Sequence, residues 1–201
     1  MKKVVLFVLI QLVISGCWLN AQKIVLKSGS FDFLKGQKAI LVKYDYSNLS
    51  VGKFEKEDDY IAQKVADYNK DEAGKGDKWK EAWFNDRPKR YEPKFEELFN
   101  NYMKEKDLQC GQTLPGATFE MNIHTTFIEP GFNIGISRKP AYINVDIRFL
   151  ESGSGKEVAV VTVDNCPGRD AVGFDFDTGY RLEEAYAKLG KSLSGFILKK
   201  L

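Results

Sequence analysis

The sequence predicts an α+β fold: a largely antiparallel sheet with helices packed on one face, in a single domain. Three observations carry that prediction. Residues 118–128 and 142–150 alternate apolar and polar side chains at a period of two, the pattern of a strand with one buried face. Ser152-Gly153-Ser154-Gly155 supplies a turn from which Glu157 to Val163 returns as a partner strand. The stripes Tyr91, Phe95, Leu98, Phe99, Tyr102 and Leu182, Tyr186, Leu189, Leu193, Phe196, Ile197 recur at helical spacing.

Taken in order, the first 21 residues form an export leader. Lys2 and Lys3 precede the apolar run Val4 to Ile14, followed by small residues. That run is too short for a membrane span, which needs roughly 20 apolar residues. Two processing sites are legible. Ile14-Ser15-Gly16-Cys17 has the form of a lipobox, which would put lipid on Cys17 and tether the protein to a membrane by that anchor alone. Leu19-Asn20-Ala21 before Gln22 has the form of an ordinary cleavage site, releasing a free protein. Either route makes the chain an exported one: periplasmic, outer-membrane-anchored or secreted.

Residues 22–201 are expected to form one domain. Gln22 to Leu34 alternates weakly and reads as an edge strand or extended arm, and Lys38 to Ser47 as the first strong strand. Lys56 to Lys70 carries Tyr60, Ile61, Val65 and Tyr68 at helical spacing. Gly74 and Gly76 read as a flexible break, with Asp77 placed to cap the next helix. Trp79 and Trp83 stand four apart on one face of that helix, and Pro88 and Pro93 interrupt or restart the helical segment beyond it. In the strand 118–128 the alternation puts Phe119, Met121, Ile123, Thr125 and Phe127 together. The last helix spans Leu182 to Leu201, with Lys199 and Lys200 at its negative end and Asp177 or Thr178 as the N-cap of its first turn.

Charge and composition narrow the function. The chain has 30 basic and 28 acidic residues; removing Lys2 and Lys3 with the leader leaves equal numbers. A neutral mature protein lacks the basic excess that binding to a nucleic-acid backbone requires. Hydrophobic content of 43% supports a packed core over disorder. Cys110 and Cys166 form an even pair in an exported chain. Such a pair suggests a disulfide, closing a loop of about 56 residues with a nominal gain of about 4 kcal/mol; the alternative is two separate buried thiols.

The hairpin Asp146-Ile147-Arg148-Phe149-Leu150, its Ser-Gly turn and its return strand resemble the recurring hairpin of an uncharacterised family of bacterial envelope proteins. The terminal helix from Gly179-Tyr180 through Ala185, Ala187 and Leu189 fits the same pattern. The architecture is similar to the curli-secretion lipoproteins and the amino-terminal domain of the periplasmic protein TolB. This resemblance covers residues 115–201 and rests on pattern, with no invariant motif. It implies an envelope-associated module without known catalysis; residues 50–110 depart from it.

A search for chemistry returns little. His124 is the sole histidine, and no nucleophile motif couples it to Cys110 or Cys166. Asp175-Phe176-Asp177-Thr178-Gly179 resembles half of an aspartic-protease pair, but that chemistry needs two such motifs sharing a proton. A calcium loop would need a bidentate glutamate at its twelfth position, which is missing. No cofactor or metal is implied. The segment Glu129 to Pro140 is the more informative stretch: it sets Phe132, Ile134, Ile136 and Arg138 on a glycine-rich loop between strands, an interface composition. The expectation is a non-enzymatic envelope module that binds a protein partner or itself through this loop, with Trp79 and Trp83 as a second candidate surface. The alternatives are a small-ligand-binding protein using the aromatic helices and, less favoured, a hydrolase using Asp175 or Asp177.

Overall fold

A computed structural model describes residues 21–168 and 177–201. Residues 1–20, Cys17 among them, and Asp175 lie outside the described residues. Strand β1 (Lys23–Gly29) runs along one edge of the main sheet. It is followed by β2 (Ala39–Asp45), the short β3 (Ser50–Val51) and helices α1 (Glu57–Asp71), α2 (Lys75–Asp86) and α3 (Glu92–Met103). Then come β4 (Gln109–Gly111), β5 (Phe119–Glu129), the two-residue strands β6 (Phe132–Asn133) and β7 (Arg138–Lys139), β8 (Ala141–Glu151), β9 (Glu157–Gly168) and α4 (Thr178–Leu198).

The main sheet has the order β1-β9-β8-β5-β2-β4, with β3 also pairing β5. The expected α+β class holds, and β1–β9, β9–β8 and β8–β5 are antiparallel. The other three pairings, β5–β2, β2–β4 and β5–β3, are parallel. They depend on the helices between β3 and β4, because a parallel neighbour needs a crossover connection of this length.

Helices α3 and α4 cover one face. Residues 141, 143, 145, 147 and 149 of β8 and Ala159, Val161 and Val163 of β9 are buried there against Leu182, Ala185, Tyr186, Leu189 and Leu193 of α4. From the turn before α3 along its length the buried row is Tyr91, Phe95, Phe99 and Met103; Tyr102, expected inward, is exposed. The helices approach at Gly190, where an added Cβ would stand 2.5 Å from the Phe95 carbonyl oxygen. Tyr91 and Tyr186 stack at 5.1 Å, and the Tyr186 hydroxyl hydrogen-bonds Thr125 Oγ1 at 2.7 Å.

Several expectations need correcting. Cys110 and Cys166 are free, buried thiols. Cys110 lies on β4 at one edge of the sheet and Cys166 on β9, with β2, β5 and β8 between them. Four strand spacings of about 4.8 Å put them roughly 19 Å apart, far beyond the ~7 Å that a disulfide tolerates. Cys166 also lies within a strand: β9 runs to Gly168 and does not stop at Val163. Helix α2 begins at Lys75 with Gly74 as its N-cap (φ +80°), so Asp77 lies inside the helix and caps nothing. The Gly74-Gly76 segment is a tight joint, for Gly76 packs against the Val65 backbone and its N–H donates to Asn69 Oδ1 at 2.7 Å. Pro88 does not break the chain into separate helices. A π-helical turn, Arg87–Tyr91, joins α2 to α3, a wider turn that absorbs the missing proline N–H.

The most consequential correction concerns β5. Its pairing with β8 shifts between Thr125 and Phe127, leaving Thr126 as an extra residue. A second shift lies in β9, where Asn165 takes a positive φ of 52°. Both bulges meet at Asn144. Its carbonyl accepts from Thr126 Oγ1 at 3.3 Å, and its Oδ1 accepts from the Asn165 N–H at 2.8 Å. Beyond the bulge Ile128, not Phe127, faces the helices.

Candidate functional site: the β6–β7 tip and the groove at its base

Because Thr126 inverts the alternation, Phe127 and Glu129 turn to the face away from α3 and α4. They join Tyr142 there, and the Phe127 and Tyr142 rings meet at 5.5 Å. From this end of the sheet the chain leaves as the small hairpin β6–β7, pairing Phe132 with Lys139 and Asn133 with Arg138.

The hairpin base is fixed by charge and by close packing. Glu129 is only 8% exposed. Its Oε1 accepts from the Gly131 N–H at 3.1 Å, and its Oε2 pairs with Lys139 Nζ at 2.6 Å. Buried Arg181, on α4, donates Nε to the Pro130 carbonyl at 3.2 Å and Nη2 to the Gly131 carbonyl at 3.3 Å. Gly131 has φ +62°, and a Cβ there would overlap the Lys139 carbonyl oxygen and stand 2.7 Å from Ala141 N. The position admits glycine alone without backbone movement.

On this base stands an apolar tip. Phe132 is 43% exposed, Ile134 65% and Ile136 97%, with exposed Arg138 beside them. The loop is internally bonded: Ile134 N–H donates to the Ser137 carbonyl at 3.0 Å, and Gly135 N–H donates to Asn133 Oδ1 at 2.9 Å. The structure thus places all four residues of the sequence-predicted loop together.

The second predicted surface is not one. Trp83 is 5% exposed, and its indole N–H donates to Glu57 Oε1 at 2.6 Å. Trp79 is half-buried between Tyr68 and Tyr60, each at 5.8 Å. The two tryptophans weld α1 to α2 and do not form an exposed pair. Asp177 caps α4, accepting from the Gly179 N–H at 2.7 Å. His124 contacts the Ser47 carbonyl through Nε2 at 2.7 Å and stands opposite Asp146 in register. Among the described residues no group of three or more His, Cys, Asp or Glu side chains is placed to hold a metal ion. No helix among them is long and apolar enough to cross a membrane.

Sequence reasoning missed the open groove at the foot of the hairpin. Its volume is about 560 Å³, and it is walled by the β3–α1 connection, the start of α1, the ends of β5 and β8, and the hairpin base. Phe54 and Tyr60 meet edge to face at 5.8 Å, and Lys53 and Lys64 lie over their rings at 5.3 Å and 5.9 Å. The signal was present in the sequence as aromatic residues beside lysines, but the elements that converge are up to about 90 positions apart.

A second polar cluster sits on α3. Glu92 and Glu96 share Gln112 Nε2 as a donor at 3.2 Å and 3.3 Å, and the Tyr44 hydroxyl donates to Glu96 Oε1 at 3.2 Å. Burial raises both carboxyls above their ordinary value of 4.5.

No family model matches the chain, and no curated protein matches it. Solved structures do resemble it. PelC from Paraburkholderia phytofirmans, a dodecamer, is 11% identical. In its L103M form the match covers 90% of this chain and 98% of that one with a TM-score of 0.42. A second PelC crystal form gives 11% identity, 87% and 98% coverage, and a TM-score of 0.39. The Xanthomonas campestris protein XCC0632 is 16% identical over 53% of this chain and 60% of that one, with a TM-score of 0.34. The similarity to the TolB amino-terminal domain is not shown by these comparisons. Scores below 0.5 at such identities leave the function to this chain's own residues.

Proposed function

We propose that this protein is an exported, non-enzymatic module of the cell envelope that engages a protein partner, or a second copy of itself, through the β6–β7 tip. The observation that carries the reading is an almost fully exposed Ile136 and a largely exposed Ile134 on a hairpin whose base is held by Arg181, Glu129 and Gly131. Isolated exposed apolar residues are common, but a contiguous apolar tip with an arginine at its rim is the composition of an interface. Its rigid mounting reduces the entropy lost on binding. The leader at residues 1–21 supports export, with Cys17 as a lipid tether or Ala21-Gln22 as the point of release. The neutral mature charge supports a protein over a nucleic acid as partner.

The test is a Phe132→Ser, Ile136→Ser double variant. Ile136 projects from the fold and Phe132 is 43% exposed, so thermal stability should stay within about 1 kcal/mol of the parent. Crosslinking in the envelope followed by affinity capture, together with sedimentation velocity, should show assemblies in the parent that the variant lacks. An identical set of assemblies in both proteins refutes the reading.

A further inference from the structure

We propose that the groove at the foot of the hairpin is a binding site for a small anionic ligand with a flat, apolar body. This inference is independent of the tip's partner.

Phe54, Phe132 and the Phe127–Tyr142 pair line the groove, and its volume of about 560 Å³ falls within the range of small-molecule sites. Aromatic faces on several sides favour a planar apolar group, which stacks or packs edge-on against them. Charge then selects the sign. Three lysines and one glutamate line the groove. Lys139 is matched by Glu129, whose other oxygen is taken up by the Gly131 N–H. Lys53 and Lys64 make no ion pair among the described residues. Each ammonium sits over a ring, Lys64 over both Tyr60 and Tyr68, and the Lys64 charge also acts on Asp67. An ammonium over a ring is held in place yet keeps donors free, since the π face takes up none of its hydrogen-bonding directions strongly. The groove therefore presents two cations at the rim of an aromatic slot, with its one carboxylate already satisfied. A carboxylate or phosphate ester on a ring system meets both demands at once. A cationic ligand would face two like charges, and a purely apolar one would leave both ammonium groups unused.

The site owes its existence to the bulge, which turns Phe127 and Glu129 out of the core. Phe132 belongs to both groove and tip, so a bound ligand would touch one side chain of the tip.

Calorimetric titration of the processed protein with 2-naphthyl phosphate, 2-naphthoate and 2-naphthol tests the assignment. One or both anions should bind about tenfold or more tightly than the neutral naphthol, as a charge-assisted contact predicts. The phosphate and carboxylate arms show which headgroup is preferred. A Lys53→Gln, Lys64→Gln variant should lose that preference, and its unchanged thermal midpoint would show the fold intact. The proposal is overturned if the anions bind no better than naphthol, if none of the three binds, or if the lysine variant retains the parent's preference. The Phe132→Ser, Ile136→Ser variant can lose its assemblies whether or not naphthyl phosphate binds the parent, so the two readings fail separately.

Discussion

Replacing Gly131 by alanine should cost about 2–5 kcal/mol, and the sum can be built from two parts. A non-glycine residue at φ +62° pays roughly 1–2 kcal/mol for the left-handed conformation. The new Cβ must also displace the Lys139 carbonyl and Ala141 N, an overpacking cost of about 1–3 kcal/mol. The hairpin cannot swing aside to relieve this, because Arg181 is buried and donates to the Pro130 and Gly131 carbonyls. Moving them would take acceptors away from a buried guanidinium, a larger loss than the strain itself. The penalty should therefore appear in global unfolding. With a urea slope of about 2 kcal/mol/M, the midpoint should fall by about 1–2.5 M. Gly135→Ala is the control: φ is +81° there, but nothing lies within 4 Å of the added Cβ, so only the conformational cost of about 1–2 kcal/mol applies. Equal losses in the two variants, or less than about 0.5 kcal/mol at Gly131, would refute the account of the hairpin base.

Other consequences arise from the packing. Gly190→Ala gains about 1 kcal/mol of helix propensity but drives a methyl group into the Phe95 carbonyl. Overpacking should win, with a net loss of up to about 2 kcal/mol in urea unfolding; a stabilised variant would contradict the close α3–α4 contact. Burial pushes the Cys166 thiol up to about 12 and raises the Cys110 thiol as well, so neither should react with an aromatic disulfide at pH 8 in the native state. Both should react once unfolded, and the non-reduced mass should show no loss of two hydrogens. Glu92 is raised in the folded state, so the native protein holds that proton more tightly than the unfolded chain does, and the resulting stability fades as pH climbs from about 4.5. Glu92→Gln should thus leave stability near the parent's at pH 4 and exceed it at pH 7; a gain that does not grow with pH would count against the burial argument.

Much of the fold was legible because period-two and helical alternation survive wherever one face is buried. β8 and α4 fall within a few residues of their expected ends for that reason. The exposed position of Phe132, Ile134 and Ile136 was legible from the glycines and prolines around them, although their own period-two spacing is that of a strand. The hidden part depends on relations between distant elements. The distance from Cys110 to Cys166 is set by the strand order, which neither neighbourhood encodes. Trp83 is inside because α1 folds back over α2 at Gly76, a contact between backbones that hydropathy does not register. Phe127 reads as a core residue because an extra residue leaves no mark in the apolar pattern until the partner strand is known.

That extra residue makes the groove a matter of phase. Along β5 the chain behaves like a two-stroke cycle, and Thr126 is a skipped beat after which every later side chain changes sides. Deleting it would send Phe127 and Glu129 under the helices and bring Ile128 out, removing an aromatic ring from the groove and setting a carboxylate against apolar side chains without changing any of the three. The groove is thus encoded in the number of residues in the strand as well as in their identities. Sheets of the same composition that differ by one residue in β5 would keep the core-forming strands and part company in what they can hold at this end.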